Sequence, residues 1–305
     1  MAEVSVTKSV SSDRISARPI EQGTAVKATA SSPIGMYDSG VGGLSVLKEV
    51  AKQLPNEDVV YFADTARVPY GSRSPQELVR FNQEIIGFLE SLSVKLIIIA
   101  CGTSSAVAYP IVKEHYKVPL VPLIDPGARA AVASTKNGKI GVIATQATVD
   151  SSAYPRAIKK INKDIQVISA ACPMFVPLIE GGFLEADETK KVALQYLKPL
   201  MKAGIDTLVL GCTHYPHLYK ILREITGINV KFVDPAEESV TEAKKILKEK
   251  QLLSPKGSLQ GKGNYHFLVS GSPVSFADLG SRLMGKPLHN VKQSVLPKAG
   301  RKGRQ

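Results

Sequence analysis

The chain has 305 residues, 44% of them hydrophobic and 22% charged, a composition typical of a globular protein long enough for two domains. Its longest apolar stretch, residues 96–101, falls far short of the roughly 20 residues that a membrane-spanning helix needs. The N-terminal residues lack the apolar core of a secretory signal, so we expect a cytoplasmic protein with no membrane contact. Three cysteines predict free thiols rather than a disulfide framework.

Half of the net charge of +12 lies at the C-terminal end. Six basic residues and no acidic residue follow Gly285. We interpret residues 286–305 as a basic disordered tail rather than a nucleic-acid-binding element, and keep a DNA-associated role as an alternative. Residues 1–32 carry few large apolar side chains, which predicts a disordered N-terminal extension.

From residue 34 onward, short apolar runs typical of strands alternate with amphipathic segments typical of helices. Strands are predicted at 34–37, 59–63 and 96–100, a glycine-rich turn at 38–43, and helices at 44–54 and about 75–92. This alternation predicts βαβ units with parallel sheets.

Several landmarks occur twice along the chain, in the same order and at nearly constant spacing. Ile34-Gly35 recurs as Ile140-Gly141, Val60-Tyr61 as Val167-Ile168, Cys101 as Cys212, and Ile124-Asp125-Pro126 as Val233-Asp234-Pro235. Four matches in order indicate two related half-domains. The alternative is that the four matches reflect only the general similarity of all doubly wound sheets, without a duplication.

Two of these landmarks are cysteines that directly follow predicted buried strands. Parallel α/β sheets bind ligands at the carboxyl ends of their strands. Two related halves that face each other across a pseudo-twofold axis would therefore place Cys101 and Cys212 on opposite walls of one cleft. Inverting a stereocentre by proton transfer needs this arrangement, because one base removes a proton from one face while an acid returns a proton to the other.

Other interpretations of the cysteines remain open at this point. Cys212 with His214 is also typical of the nucleophile and base of a thiol hydrolase or acyl transferase. A zinc site is disfavoured because no second pair of ligands follows. Cys172 has no comparable context, so we interpret it as structural.

Five segments of the chain carry distinctive motifs: Asp38-Ser39-Gly40-Val41-Gly42-Gly43-Leu44, Asp64-Thr65-Ala66-Arg67-Val68-Pro69-Tyr70-Gly71, the segment around Cys101, Cys172-Pro173 through Val176-Pro177-Leu178-Ile179-Glu180, and Gly211-Cys212-Thr213-His214-Tyr215-Pro216. Together they resemble the cofactor-independent glutamate racemases of the aspartate/glutamate racemase superfamily, and the likeness extends from about residue 34 to 287.

The resemblance implies two similar three-layer αβα domains with parallel sheets and an active site in the interdomain cleft. The first domain would comprise residues 33–129 and 237–285, and the second residues 130–236. It also implies an enzyme that uses neither pyridoxal phosphate nor a metal ion, supplies D-glutamate for peptidoglycan, and forms a homodimer.

The resemblance also assigns roles to single residues. Cys101 would be the base acting on D-glutamate and Cys212 the base acting on L-glutamate. His214 and Glu180 would assist Cys212. Asp38 would be a further catalytic residue beside Cys101 and would also hold the substrate ammonium group, with Ser39 beside it. The substrate site would be lined by Tyr70, Gly71, Gly102, Thr103, Thr213 and His214.

One position departs from the family pattern, which normally reads Cys-Asn-Thr where this chain has Cys101-Gly102-Thr103. Loss of the amide removes a hydrogen-bonding group from the substrate site. We therefore expect Gly102→Asn to raise kcat/KM for glutamate. The departure also keeps open a racemase or isomerase of the same superfamily acting on aspartate, a hydantoin or another small acid.

Overall fold

The computed structural model describes residues 28–255 and 263–296. The strands are β1 (Ile34–Asp38), β2 (Val59–Ala63), β3 (Leu96–Ile99), β4 (Leu120–Val121), β5 (Lys139–Ala144), β6 (Gln166–Ala171), β7 (Thr207–Leu210), β8 (Lys231–Val233), β9 (Tyr265–Val269) and β10 (Val291–Gln293). The α-helices are α1 (Leu44–Gln53), α2 (Pro75–Ser91), α3 (Tyr109–Val112), α4 (Ile124–Ser134), α5 (Gln146–Asp150), α6 (Ala153–Ile161), α7 (Phe175–Glu180), α8 (Asp187–Ala203), α9 (Tyr219–Thr226), α10 (Pro235–Glu249) and α11 (Pro273–Met284). Among these described helices, none combines the length and the apolar character needed to cross a bilayer.

The strands form two sheets, and every pairing between neighbours is parallel. The larger sheet has the order β10-β9-β2-β1-β3-β4, and the smaller one has the order β6-β5-β7-β8. The prediction of an α/β fold with parallel sheets is therefore confirmed. The chain enters the smaller sheet after α4 and returns to the larger one at β9, which pairs with β2.

The order β2-β1-β3-β4 in the larger sheet matches the order β6-β5-β7-β8 in the smaller one. The registers agree as well, because Gly35 lies opposite Ile97 and Gly141 lies opposite Leu208. Ile97 and Leu208 are separated along the chain by the same number of residues as the two cysteines. The repeat in the sequence thus corresponds to equivalent strand ends.

Both faces of each sheet are covered, and β3 shows why the sequence requires it. Its side chains alternate between two hydrophobic clusters: Leu96 and Ile98 pack with α1 on one face, and Ile97 and Ile99 pack with α2 on the other. A strand that is apolar at every position suits a central parallel strand, since helices bury both of its faces. Helix α2 begins at a capping box, in which the Ser74 side chain and Glu77 satisfy each other's backbone N–H groups.

The predicted disorder is wrong for part of both terminal segments. Residues 291–293 form β10, which pairs with β9 at the edge of the larger sheet, and the Ser294 N–H donates to the Val269 carbonyl at 2.8 Å. An edge strand is held by backbone hydrogen bonds, so basic side chains such as Lys292 leave it intact. Residues 28–32 are also described, whereas residues 1–27 and 297–305 lie outside the described part of the chain.

A buried ion pair next to the larger sheet joins segments that are distant from one another in the sequence. The Lys95 ammonium is fully buried; it pairs with Glu57 and donates to the Ala30 carbonyl at 2.7 Å. The second oxygen of Glu57 accepts from the Ser254 N–H at 2.8 Å. Lys95 therefore connects the segment before β1 with the segment after α10.

We expect Lys95→Met to lower the free energy of unfolding by about 3–5 kcal/mol, because it leaves the Glu57 carboxylate buried without its cation. Urea denaturation would measure the change. The matched control is Lys190→Met, which removes a lysine from a solvent-exposed pair with Glu224 and should cause no measurable change. A loss at Lys95 no larger than that of the control would contradict this account.

Candidate active site

The carboxyl ends of the two sheets face each other across one cleft. Thr103, just after β3, and Thr145, just after β5, join the two halves through a hydrogen bond of 2.9 Å between their hydroxyl oxygens. A Cβ atom built on Gly42, in the loop after β1, would lie 2.7 Å from the Thr213 hydroxyl oxygen of the loop after β7. The loops after β1 and β3 thus meet the loops after β5 and β7. Cys101 lies in the loop after β3 and Cys212 in the loop after β7, so both cysteines belong to one site.

Cys101 lies in a buried, anionic environment. Cys101 is only 4% exposed to solvent. Burial and, to a smaller extent, the nearby Asp38 carboxylate raise the pKa of the Cys101 thiol, hydrogen bonds with Ser104 offset part of the rise, and the resulting value is about 12. At neutral pH this sulfur therefore carries its proton and can act as an acid.

Asp38 ends β1 beside Cys101. Its Oδ2 atom accepts hydrogen bonds from the N–H groups of Gly43 at 2.9 Å and Gly40 at 3.2 Å. Burial raises the pKa of Asp38, while His214 and these N–H groups act in the opposite direction. The glycine-rich turn thus holds a carboxylate in place on the side of the cleft where Cys101 lies.

Cys212 lies in a different environment, next to an imidazole. Its Sγ atom is 3.8 Å from Nδ1 of His214, and Nε2 of the same ring is 3.0 Å from Oε1 of Glu180. Burial lowers the pKa of His214, but Cys212, Glu180 and Asp38 together outweigh it and raise the value to about 10. The ring is therefore an imidazolium at neutral pH, and a cation beside a sulfur stabilises its thiolate form.

The structure adds two hydroxyl groups that the sequence analysis did not single out. Thr145 contacts Thr103 and also lies 3.0 Å from the hydroxyl oxygen of Thr148. A signal for Thr145 was present in the repeat, because the offset that relates Ile34 to Ile140 also relates Ser39 to Thr145. Together with the buried Thr213, these side chains form a group of hydroxyls around the cleft.

Three predicted binding residues lie at the margin of this site. Ser39 is half-buried directly after Asp38, and a Cβ atom on Gly71 would lie 3.0 Å from Cβ of Thr145 across the cleft. Tyr70 packs in the same hydrophobic cluster as Cys101, but its hydroxyl donates to Asp64. The Tyr70 hydroxyl is therefore occupied by Asp64, and its ring is buried in the cluster that contains Cys101.

Asp64 is the centre of a buried hydrogen-bond network behind this loop. In addition to Tyr70, it accepts from Nε of Arg67 at 2.6 Å and from the Ser270 hydroxyl at 2.8 Å. The Arg67 guanidinium also lies 4.1 Å from the centroid of the Phe81 ring. Asp64 and Arg67 thus form a partly buried ion pair within the loop that follows β2.

Cys172 is fully buried near Cys212, and all three cysteines are free thiols. Burial raises the pKa of the Cys172 thiol well above its usual range. Its sulfur donates to the carbonyl of Ala170 at 3.6 Å, two residues earlier in β6. Within residues 28–255 and 263–296, no group of three His, Cys, Asp or Glu side chains is arranged to hold a metal ion.

Comparison with known proteins agrees with this geometry. The Asp/Glu/hydantoin racemase family matches residues 36–243, which is more than half of the chain. The chain belongs to this family. The glutamate racemase of Geobacter metallireducens is 47% identical over 263 residues, covering 86% of this chain and 96% of that protein. The glutamate racemase of Gloeothece citriformis is 49% identical over 254 residues, covering 83% and 89%.

Solved structures of this racemase family have the same fold. A glutamate racemase isoform from Bacillus anthracis is 37% identical with a TM-score of 0.82, covering 87% of this chain and 98% of its own. The Francisella tularensis glutamate racemase, solved in complex with D-glutamate, is 36% identical with a TM-score of 0.81 and the same coverage. The prediction of an amino-acid racemase is confirmed by these likenesses.

The geometry at Gly102 argues against the effect expected for Gly102→Asn. A Cβ atom at this position would lie less than 3.0 Å from the carbonyl oxygen of Gly211, a distance that real Cβ atoms essentially never show. An asparagine side chain therefore does not fit while the two loops keep these positions. We now expect the substitution to lower kcat/KM in this racemase.

Proposed function

We propose that the protein interconverts L- and D-glutamate by proton transfer between two cysteines, Cys101 and Cys212. One observation carries the proposal: the two thiols follow equivalent strands, β3 and β7, whose carboxyl ends meet at one cleft. Their surroundings differ in charge, with a carboxylate beside one and an imidazolium beside the other.

In the direction from L- to D-glutamate, the Cys212 thiolate removes the proton from Cα, and the Cys101 thiol gives its proton to the opposite face. The His214 imidazolium stabilises the thiolate that starts this step. After the step Cys212 carries a proton and Cys101 is a thiolate, so the same site is ready to convert D- to L-glutamate. A proton must be exchanged with solvent before the next turnover in the original direction.

The substrate's charged groups have complementary partners in the cleft. Oδ2 of Asp38 accepts the hydrogen bonds from the backbone N–H groups of Gly40 and Gly43, so we assign its Oδ1 atom to the substrate ammonium. The hydroxyls of Thr103, Thr145 and Thr213 are the donors that we assign to the carboxylates. Such donors, held in place before the reaction, also stabilise the negative charge that develops on the substrate as Cα loses its proton.

Glutamate is favoured over aspartate by the comparison with relatives. The relatives that are 45–49% identical to this chain are named glutamate racemases. The aspartate racemase of Picrophilus torridus is only 18% identical, with a TM-score of 0.51, and shares the fold alone. We also infer a cytoplasmic homodimer that supplies D-glutamate for peptidoglycan, as the family resemblance implies.

The decisive test follows exchange at Cα in D₂O, starting separately from L- and D-glutamate. We expect deuterium in the product enantiomer well before it appears in the recovered substrate, since the acid that protonates the product has exchanged with solvent. Chiral chromatography with mass spectrometry would measure both pools. If neither L- nor D-glutamate exchanged its Cα proton, the proposal would be overturned. Exchange at Cα of aspartate but not of glutamate would reassign the substrate.

A further inference from the structure

Three glycines of the first half of the chain lie against the second half at the cleft. We call Gly42, Gly71 and Gly102 the cleft glycines; they lie in the loops that follow β1, β2 and β3. A Cβ atom on each would meet, respectively, the side chains of His214 and Thr213, the side chain of Thr145, and the backbone of Gly211. The two walls of the cleft are therefore in close contact at three positions where the first half of the chain has glycine.

The obstacle at Gly102 differs from the other two because it is backbone. A Cβ atom there would meet the Gly211 carbonyl oxygen at less than 3.0 Å, its carbonyl carbon at 3.4 Å and Cα of Cys212 at 3.7 Å. The His214 ring beside Gly42 is a side chain, and the contact beside Gly71 is at 3.0 Å, which an adjustment of a few tenths of an ångström would relieve.

Gly211 has little freedom to move away from Gly102. Its N–H donates to the Ile143 carbonyl at 2.8 Å, within the smaller sheet. A Cβ atom on Gly211 itself would meet that same carbonyl oxygen at 2.8 Å and the Tyr154 ring at 3.0 Å. On the opposite wall, the Cys101 carbonyl accepts from the Ser105 N–H at 2.9 Å, which fixes the turn that contains Gly102.

We propose that Gly102 is a positioning residue whose missing side chain sets how closely Cys101 and Cys212 approach each other. Gly102 directly follows one cysteine, and Gly211 directly precedes the other. Contact between these two backbones closes the cleft and leaves the cysteines only 4% and 7% exposed. The catalytic consequence rests on the proposed function, whereas the effect on closure does not.

The contact also gives a reason for glycine where the family resemblance leads us to expect asparagine. An asparagine amide would offer a hydrogen bond to the substrate but would hold the two loops apart. Glycine gives up that donor and permits the shorter separation. The hydrogen bond between the hydroxyl groups of Thr103 and Thr145, which joins the two walls at 2.9 Å, also requires the loops to be this close.

The test compares Gly102→Ala with the wild-type protein in the absence of substrate. Iodoacetamide alkylation of each cysteine would be followed separately by peptide mass spectrometry. We expect Cys101 and Cys212 to react about tenfold faster in the variant, because alkylation requires an accessible thiolate and burial opposes both access and ionisation. Cys172 should react at its wild-type rate. We also expect kcat/KM for glutamate to fall about a hundredfold, as a displacement of about 1 Å at reacting groups does.

The matched control is Gly87→Ala in α2, where a Cβ atom would have no neighbour within 4 Å. It should change neither alkylation nor kcat/KM. Gly102→Ala should keep the wild-type circular dichroism spectrum and remain folded, with only a small fall in melting temperature, because opening the cleft relieves the collision at the expense of contacts such as the Thr103–Thr145 hydrogen bond. Unfolding of this variant, or wild-type alkylation rates at Cys101 and Cys212, would contradict the proposal even if the protein did not act on glutamate.

Discussion

Serine in place of either Cys101 or Cys212 is expected to lower kcat/KM for glutamate by about 10²–10⁴-fold, the usual contribution of one acid–base group. A hydroxyl is a much weaker acid than a thiol, so at neutral pH it neither forms the anion that would remove the Cα proton nor gives up its own proton as readily. Because the two enantiomers have equal free energies in water, each variant must lose the same factor in both directions. Circular dichroism at a wavelength where glutamate absorbs would follow both.

Cys172→Ala provides the control, since Cys172 is also buried but its sulfur contacts the Ala170 carbonyl in the preceding strand β6. It should retain wild-type kcat/KM. The pair of serine variants also separates racemisation from the thiol hydrolase alternative, in which Cys212 and His214 would act without a second thiol. A Cys101→Ser protein with full activity would rule out the two-cysteine mechanism.

The second large effect is expected for His214→Asn, with a loss of about a hundredfold in kcat/KM at neutral pH. The substitution removes the cation 3.8 Å from the Cys212 sulfur and leaves Glu180 without its partner. Glu180 is itself 36% exposed in its side chain, so solvent screens its charge and its own removal should cost less. We therefore expect the loss of the buried imidazolium to reduce activity more than the loss of the partly exposed Glu180 carboxylate.

This assignment has a specific pH dependence. The pKa of His214 is raised to about 10, so the ring is charged below that pH and loses its proton as the pH rises through it. In the wild-type protein we expect kcat/KM to decline as the pH approaches and passes 10. His214→Asn should lack this decline, and a variant that keeps it would show that another group titrates there.

His217 supplies the comparison, because it lies one turn away from His214 in the same segment. Burial, with Lys48 and His214, lowers the pKa of His217 to about 4, so it does not change charge between pH 7 and 10. His217→Asn should therefore retain the alkaline decline. Profiles of kcat/KM for both variants over this range would distinguish the two histidines.

Much of the fold and half of the site follow from the sequence because their signals are local. Strand β3 is apolar at every position, and the turn after β1 is rich in glycine, so each element is readable from a few neighbouring residues. The repeat then pairs Cys101 with Cys212, since equivalent strands end at equivalent edges of their sheets. The family resemblance adds His214 and Glu180, which the structure brings together at 3.0 Å.

Contacts across the cleft were decided only by the tertiary structure. The obstacle at Gly102 is the Gly211 carbonyl, more than a hundred residues away, and its presence depends on how the two sheets are oriented. The same is true of the hydrogen bond between Thr103 and Thr145.

The protonation states of Cys101 and His214 also depend on burial and on charges from both halves of the chain. The sequence thus determined which groups stand at the two strand ends. Only packing between the halves determined how closely they approach and which of them carries a proton, because separation and desolvation are properties of the assembled cleft.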